Sequence, residues 1–332
     1  MLRHPVSPPS PPWLPDLAAL SRGGVRRQAS LAPYTSFHIG GPAEYLAVIT
    51  RLEHLLAALN LLHDSRTPFL LLGGGSNILI SDAGVPGLTL INQCKKAHWP
   101  EHSQQKEQSA VYVEVAAGAP LAGFARESIN RGLAGLSWAV SIPGSVGGAI
   151  VGNAGAHGDD IAGSLVNVRV WRSGQVETWS AEKMAFSYRS SRLKDADADP
   201  AVHPVILSAT FRLRPDAGGQ AATQATAAIQ HRRSTQPAGK SAGSIFKNPP
   251  GDYAGRLIEA AGLKERCSGE ACISEKHANF IINRGQASAA DVMNLINLIR
   301  HEVWRQFGVL LEPEILFIGD WRNGPTLTNP SH

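Results

Sequence analysis

Residues 70–82 have the sequence LLLGGGSNILISD, in which a glycine triplet interrupts a run of apolar residues. The apolar runs 69–72 and 78–80 predict a strand, a tight loop and a second strand. Because glycine lacks a Cβ, such a loop can adopt positive φ and bring its N–H groups against phosphate oxygens. The candidate residues for binding a dinucleotide pyrophosphate are Gly73, Gly74, Gly75, Ser76 and Asn77. A strained turn between two strands also accounts for the glycines.

A second glycine-rich loop lies at residues 141–149, SIPGSVGGA, and further glycines follow as far as Gly158. Two separated glycine loops favour an extended ligand, although close packing of a helix start on a sheet is the structural alternative. Neither loop has the Gly-x-Gly-x-x-Gly pattern of a Rossmann fold, and neither is a Walker loop. Gly239-Lys240-Ser241 resembles half of a Walker loop, but Ser234 stands where its first glycine is required.

Hydrophobic periodicity outlines the rest of the chain. Leucines at helical spacing predict an amphipathic helix over 51–63, and alternating valines predict half-buried strands over 111–115 and 166–170. Residues 97–109 are polar and predict an exposed loop. Another strand is predicted over 205–213, followed by a change of composition that we interpret as a domain boundary near Pro215.

The last third of the chain has clear helix signals. Ser288 followed by Asp291 predicts a capping box, and apolar residues from Val292 to Val303 share one face of the helix that follows. Gly308 is expected to end this helix. A final strand is predicted over 315–318.

Composition limits the class of protein. The chain has 332 residues, 43% of them hydrophobic and 17% charged, which allows a sizeable core and two or three domains. Its formal net charge of +4 is spread along the chain, so it suits an anionic small ligand and predicts no nucleic-acid-binding face. No Cys/His spacing matches a zinc site, and we expect no metal.

Three cysteines are too few for a disulfide framework, which favours a reducing compartment. We expect Cys267 and Cys272 to be small, semi-buried packing residues. Residues 1–22 are proline-rich and lack a signal-peptide core, so they predict a disordered leader, and residues 320–332 predict a disordered tail. No apolar segment is long enough to span a membrane, and we expect a cytoplasmic, monomeric protein.

Three polar segments carry candidate chemistry. Arg189, after Tyr188, could pair with a carboxylate or stabilise developing negative charge. Residues 241–249, SAGSIFKNP, place a hydroxyl, a lysine and an amide together, and Ser244 could be an acid, a nucleophile or a cap. Glu314 has apolar neighbours, so it is either a buried carboxylate with a shifted pKa or a paired structural one.

Taken in order from Leu31 to Gly319, these segments resemble the UDP-N-acetylenolpyruvoylglucosamine reductase family. The matching motifs are TSFHIGGPAEYL at 35–46, LLLGGGSNILISD at 70–82, GLAGLSWAVSIPGSVGGAIVGNAGAHG at 132–158, FSYRSS at 186–191, SAGSIFKNP at 241–249, SEKHANFIIN at 274–283 and LEPEILFIG at 311–319. One such motif is weak evidence, whereas seven in the same order are specific.

The resemblance implies an α+β flavoprotein. Its FAD-binding module has two subdomains with the alcohol-oxidase (PCMH-type) fold, expected at 23–91 and 92–215, and a C-terminal α+β domain at 216–319 binds the substrate. It also implies reduction of UDP-N-acetylglucosamine enolpyruvate to UDP-N-acetylmuramate, with non-covalent FAD as cofactor and NADPH as co-substrate. Residues 215–230 contain no tyrosine, so the chain resembles the shorter class of the family, which lacks a tyrosine-bearing substrate loop.

Roles are carried over motif by motif. The resemblance implies catalytic roles for Arg189 and Glu314 in stabilising an enolate-like species, and for Ser244 in protonating it, directly or through a water. The expected FAD contacts are Gly73, Gly74, Gly75, Ser76, Asn77, Ser141, Pro143, Gly144, Gly148 and Ile206. The expected substrate contacts are Tyr188, Lys247 and Asn248. His157 is expected to have a packing role without a covalent flavin bond.

Two alternatives remain. An FAD-linked alcohol oxidase would use the same cofactor fold and pass electrons to oxygen, but the set of Ser244, Arg189 and Glu314 argues against it. A non-catalytic nucleotide-sugar-binding protein would be expected to have lost one of these three residues, and all are present.

Overall fold

The structure is a computed structural model that describes residues 10–100, 109–194 and 204–329. The helices are α1 (Leu14–Leu20), α2 (Leu52–Asp64), α3 (Leu121–Asn130), α4 (Val146–Val151), α5 (Gln220–Thr235), α6 (Ala254–Ala260) and α7 (Ala289–Phe307). Short 3-10 helices lie at Ala32–Tyr34 and Ser137–Ala139. Among the described helices, none has both the length and the apolar composition needed to cross a membrane.

The strands fall into three groups along the chain. The first group is β1 (Val25–Ser30), β2 (Pro42–Ile49), β3 (Phe69–Leu72), β4 (Ile78–Ile80) and β5 (Val85–Asn92). The second is β6 (Ala97–His98), β7 (Val111–Ala116), β8 (Leu133–Ala134), β9 (Gly155–Ala156), β10 (Asp159–Asp160), β11 (Leu165–Arg172), β12 (Gln175–Ser180) and β13 (Val205–Pro215). The third is β14 (Cys267–Ser268), β15 (Ala271–Ile273), β16 (Ile281–Asn283) and β17 (Leu316–Ile318).

The first unit is a sheet with strand order β1-β2-β5-β3, in which β5 runs parallel to both β2 and β3. Helix α2 links β2 to β3, which are parallel strands on either side of β5 and so need a crossover connection. Its leucines at positions 55, 59 and 62 are fully buried, which confirms the amphipathic helix predicted over 51–63. The predicted strand, loop and strand around the glycine triplet are β3, the loop at 73–77 and β4.

The second unit is an antiparallel sheet with strand order β12-β11-β13-β7-β6. Alternate residues of β7, Val111, Val113 and Val115, face a core shared with α3 and α4. The strands predicted over 111–115, 166–170 and 205–213 are therefore confirmed. Residues 97–98 of the predicted exposed loop form β6, and 101–108 lie outside the described residues.

The C-terminal unit packs helices α6 and α7 on the small sheet β14-β15-β16. Ser288 and Asp291 form the predicted capping box of α7, and Gly308 ends this helix in the left-handed conformation. Asp82 of the first unit also accepts hydrogen bonds from Ala289 N and Ala290 N, at 2.7 and 2.9 Å. Strand β17 pairs in parallel with β4, so the end of the chain returns to the first unit.

The prediction of a disordered leader over 1–22 is wrong for its second half, and residues 1–9 lie outside the described part. Helix α1 buries Leu17 completely, and the ring of Trp13 packs edge-on against Tyr45 with centroids 5.4 Å apart. Burial of these two apolar side chains stabilises a short helix that the prolines concealed.

The predicted disordered tail is also wrong for residues 320–329. Asn297 of α7 donates to Thr326 O at 2.9 Å and accepts from Thr328 N at 3.0 Å. Arg300, which is 4% exposed, donates to Leu311 O at 3.1 Å and to Asn329 Oδ1 at 3.0 Å. The tail therefore supplies acceptors for a buried guanidinium, and residues 330–332 lie outside the described part.

The expectation that Cys267 and Cys272 are free packing residues is wrong, because they form a disulfide. They lie opposite each other in the β14–β15 pair, a register that sequence spacing does not reveal. Cys272 is buried and Cys267 is exposed. Cys94 is free and buried, and burial raises the pKa of its thiol to about 12.

The domain boundary predicted near Pro215 stays a prediction. Helix α5 follows Pro215 in the chain, yet it packs on the unit that precedes Pro215. Ala225 and Ala228 of α5 join the core of the second unit. The residues after Pro215 thus contact the antiparallel sheet before the chain enters the C-terminal unit.

Candidate active site

The two glycine loops, at 73–77 and 141–149, lie in direct contact. Ser76 Oγ donates to Pro143 O at 3.2 Å, and a Cβ built on Gly74 would lie 2.7 Å from Gly144 Cα. Such a distance is shorter than any ordinary carbon contact, so backbone approach requires glycine at position 74. The packing interpretation of the glycines is therefore correct here, and it leaves the ligand interpretation open.

The first loop also presents unused backbone donors. Within the described chain, the N–H groups of Gly74, Gly75 and Ser76 have no protein acceptor. Three consecutive N–H groups in a glycine loop form a suitable anion site. This donor set fits the pyrophosphate of a dinucleotide cofactor.

The other predicted cofactor residues lie in the second glycine loop, apart from Ile206. Pro143 and Gly148 are exposed, and Ser141 is half-buried. Gly148 N donates to Ser145 Oγ at 3.3 Å, which begins α4. Ile206 of β13 is buried in the core of the second unit, so packing explains it without a ligand.

Arg189 and Glu314, predicted from motifs 125 positions apart in the sequence, form an ion pair. Arg189 Nε lies 3.2 Å from Glu314 Oε1 without hydrogen-bond geometry, while Nη1 donates to Gly155 O at 3.0 Å. The Arg189 backbone is held in the left-handed region, at φ 55°, and its carbonyl accepts from Lys194 Nζ at 2.8 Å. The guanidinium thus links Gly155 of the second glycine region to Glu314, which lies just before β17.

Glu314 is enclosed by three of the predicted motifs. Asn77 Nδ2 donates to Glu314 O at 3.1 Å, and Glu314 N donates to Ile245 O at 2.8 Å. Burial raises the pKa of the Glu314 carboxyl, although the charges of Arg189, Lys194 and Lys247 lower it. Glu314 thus has a feature of each alternative, the ion pair and the shifted pKa, and its catalytic role stays a prediction.

Ser244 is connected to Glu314 through its neighbour in the chain, Ile245. It is half-buried and precedes Ile245, the residue whose carbonyl accepts the Glu314 N–H. Ser36 Oγ donates to Ser241 O at 2.7 Å, so the first unit also holds the start of the segment. The fold thus pairs Arg189 with Glu314 and places Ser244 one residue before Ile245, which is bonded to Glu314.

The predicted substrate residues are arranged less uniformly. Tyr188 is 64% exposed, and its ring lies under the Arg189 guanidinium, whose Cζ is 5.6 Å from the ring centroid. Lys247 forms an ion pair with Glu312. Asn248 Oδ1 accepts from Ala254 N at 3.1 Å and so shapes the start of α6. Only Tyr188 thus contacts a member of the catalytic set through its side chain.

His157 has the conformation of a loop residue and no close tie to the catalytic set. Its φ is 58°, its side chain is exposed, and its ring packs edge-on against His231 with centroids 5.2 Å apart. The expected packing role agrees with this contact.

Sequence reasoning missed Asn153, a buried amide within the second glycine region. Its Nδ2 donates to Asp160 Oδ2 and to Ser187 O, both at 3.0 Å, and its Oδ1 accepts from Ala162 N at 3.2 Å. Asn153 therefore holds the turn that carries Tyr188 and Arg189. A lone amide among glycines was the only signal available for it.

No three His, Cys, Asp or Glu side chains lie close enough to hold a metal ion in residues 10–100, 109–194 and 204–329.

Comparison with known protein families finds one match in the N-terminal part of the chain and one in the C-terminal part. Residues 43–172 match the FAD binding domain family, and residues 235–318 match the C-terminal domain of UDP-N-acetylenolpyruvoylglucosamine reductase. FAD is therefore the cofactor of this chain. The predicted fold class, an α+β FAD-binding module followed by a C-terminal domain, is confirmed.

Full-length relatives carry the same name. The chain is 44% identical over 298 residues to UDP-N-acetylenolpyruvoylglucosamine reductase of Chloroflexus aggregans, covering 89% of this chain and 97% of the relative. It is 40% identical over 325 residues to that of Synechocystis sp., covering 97% and 99%. A crystal structure of this reductase from Thermus caldophilus has a TM-score of 0.72 at 32% identity, over 88% of this chain and 98% of that one. The chain belongs to the UDP-N-acetylenolpyruvoylglucosamine reductase family.

Proposed function

We propose that this chain reduces UDP-N-acetylglucosamine enolpyruvate to UDP-N-acetylmuramate with NADPH, and that Arg189, Ser244 and Glu314 perform the chemistry on the sugar. The family supports the overall reaction. The roles rest on one observation, the convergence of these three residues from separate motifs beside the glycine loops.

Gly74, Gly75 and Ser76 would hold the pyrophosphate of FAD through their backbone N–H groups. Bound FAD, after reduction by NADPH, supplies the hydride that adds to the vinyl carbon of the substrate. Contact between the two loops keeps these donors in fixed positions before the ligand arrives, which limits the entropy lost on binding.

Arg189 and Glu314 would stabilise the enolate-like charge that hydride addition leaves on the substrate. The guanidinium is held from the Gly155 side and is only partly exposed, so its charge acts in an environment poorer in water than the surface. A raised pKa keeps the proton on Glu314 to higher pH than on an ordinary glutamate. The carboxyl can then donate a hydrogen bond to the enolate.

Ser244 would give its hydroxyl proton to the remaining carbon of the enolate. A hydroxyl is a weak acid, but an enolate of a carboxylate is a strong enough base to take its proton. Tyr188, Lys247 and Asn248 are the proposed substrate contacts, and Tyr188 already lies against Arg189.

Cytoplasmic location and a monomeric state belong to the same proposal. NADPH and nucleotide sugars are cytoplasmic metabolites. Sedimentation of the purified protein at 35.3 kDa would support the monomer, and a heavier species would exclude it.

The absorbance spectrum of the purified protein under anaerobic conditions tests the reaction. NADPH should bleach the flavin band, and addition of UDP-N-acetylglucosamine enolpyruvate should restore it. A protein that shows no flavin band even after FAD is supplied would exclude the proposal. Recovery with oxygen alone, and none with the sugar, would favour the alcohol oxidase.

A further inference from the structure

Asn279 is a buried amide bonded to the backbone that follows Ser244. It is 3% exposed. Its Nδ2 donates to Phe246 O at 2.8 Å, and its Oδ1 accepts from Phe246 N at 2.9 Å. Its own carbonyl accepts from Ile245 N at 2.9 Å. One residue thus makes three hydrogen bonds to the two residues after Ser244.

The opposite edge of the same segment is bonded to the segment that carries Glu314. Glu314 N donates to Ile245 O at 2.8 Å, and Lys247 N donates to Glu312 O at 2.9 Å. On its other edge, Phe246 has the Asn279 amide in place of a neighbouring strand. Because Phe246 is 1% exposed, loss of this amide would leave its N–H and C=O groups buried without partners.

Asn279 is itself held in a fixed turn between β15 and β16. Its N–H donates to His277 Nδ1 at 3.2 Å, and Ser274 N donates to Phe280 O at 2.8 Å. Ser274 Oγ accepts from Lys276 N at 3.1 Å and from His277 N at 3.3 Å. The amide therefore presents a rigid template to the Ser244 segment.

We propose that Asn279 is a positioning residue that sets the place of the Ser244 hydroxyl for proton transfer. This inference rests on the proposed role of Ser244. Asn279 acts through the backbone, since its three bonds to the Ser244 segment end on the backbone of Ile245 and Phe246. A displacement of about 1 Å at a reacting group can slow a reaction by roughly 100-fold.

The test uses Asn279→Asp in the flavin-loaded enzyme, with the two half-reactions followed separately by stopped-flow absorbance. Aspartate keeps the shape and the acceptor for Phe246 N, but it has no N–H group for Phe246 O. We expect unchanged flavin reduction by NADPH and flavin reoxidation by the enolpyruvyl sugar that is slower by roughly 10-fold to 100-fold. Asn279→Ser, which also removes the amide, should act in the same direction and serves if the aspartate variant does not fold.

Asn283→Asp is the matched control. Asn283 is 4% exposed in the same unit, and its side chain bonds Phe37 O, Gly285 N and Ala287 N, none of them in the Ser244 segment. It should lower the melting temperature and leave both half-reactions unchanged. If Asn279→Asp slows both half-reactions equally, or neither, its role is merely structural and the inference is overturned.

A double variant separates this inference from the proposed function. If Asn279 acts through Ser244, then Asn279→Asp should add little to the slowing caused by Ser244→Ala. Equal slowing by Asn279→Asp in both backgrounds would overturn the positioning role while leaving Ser244 as the proton donor. A Ser244→Ala variant that reoxidises at the parent rate would overturn the donor role itself, and this inference with it.

Discussion

Glu314 in the site and Glu302 in α7 are both half-buried and each face an arginine, yet their carboxyl pKa values move in opposite directions. Glu302 Oε2 accepts from Arg305 Nη2 at 2.7 Å, and hydrogen bonds from Arg305 and Gln306 lower its pKa to about 2. Burial raises the pKa of Glu314, whose contact with Arg189 lacks hydrogen-bond geometry. An arginine neighbour therefore does not decide the charge of a carboxyl, whereas desolvation and hydrogen bonds do.

The largest expected effect comes from removal of the Ser244 hydroxyl. Ser244→Ala should slow flavin reoxidation by the enolpyruvyl sugar by about 10²-fold to 10⁴-fold, as loss of a general acid does. Flavin content and reduction by NADPH should be unchanged, as stopped-flow absorbance can show. Ser234→Ala, which removes an exposed hydroxyl bonded to His231 O on α5, is the control. Equal rates for Ser244→Ala and the parent would end this assignment.

Substitution of the two glutamates tests the comparison directly. Glu314→Gln should slow the same half-reaction by roughly 100-fold, since an amide is a weaker partner for developing charge than a carboxylic acid. Glu302→Gln should change neither half-reaction, because its contacts are confined to α7. The measurement is single-turnover reoxidation at fixed pH. A Glu314→Gln variant that no longer retains FAD would instead indicate a structural role.

The pH dependence of the two carboxyls should have opposite signs. Glu314 has a raised pKa, so its contribution to stability is complete below the ordinary glutamate pKa of 4.5 and is lost as pH rises through the pKa of the folded state. For Glu302 the contribution is present above 4.5 and is lost as pH falls towards about 2. If protonated Glu314 is the active form, reoxidation should fall about tenfold per pH unit above its pKa. A pH profile that is identical in Glu314→Gln would assign this titration to another group.

The smallest expected effect on chemistry comes from loss of the disulfide in the β14–β15 hairpin. Reduction of the Cys267–Cys272 bond, or Cys267→Ser with Cys272→Ala, should cost about 2 kcal/mol of unfolding free energy, because the closed loop spans only five positions. Thermal unfolding with and without a thiol reductant measures this loss. Both half-reactions should stay at parent rates, and a selective loss of reoxidation would connect the hairpin to the site.

Local patterns predicted the elements that carry their own signals. Helix α7 was predictable because its cap, apolar face and terminal glycine lie within about twenty residues of one another. The glycine loops were predictable as close approaches of backbone, but not as partners of each other. Helix α1 escaped prediction, since Trp13 and Leu17 are stabilised by contacts with distant residues.

The candidate site shows the same division. The identities of Arg189, Ser244 and Glu314 came from motif resemblance, while Asn279 carried no signal of its own and Asn153 only that of an amide among glycines. Both amides act through hydrogen bonds to residues 33 or 34 positions away. Such pairings depend on the course of the backbone in space, which a single sequence does not specify.

The sequence by itself determined the two glycine loops and the residue types available for chemistry, because periodicity and glycine spacing report local conformation. The α+β class was implied by the resemblance of its motifs to a known family. Tertiary structure alone decided that the two loops touch, that Cys267 meets Cys272, and that Glu314 is half-buried beside Arg189. The physical reason is that desolvation and close contact depend on neighbours distant in the chain. The direction in which the pKa of Glu314 shifts is therefore a property of the fold.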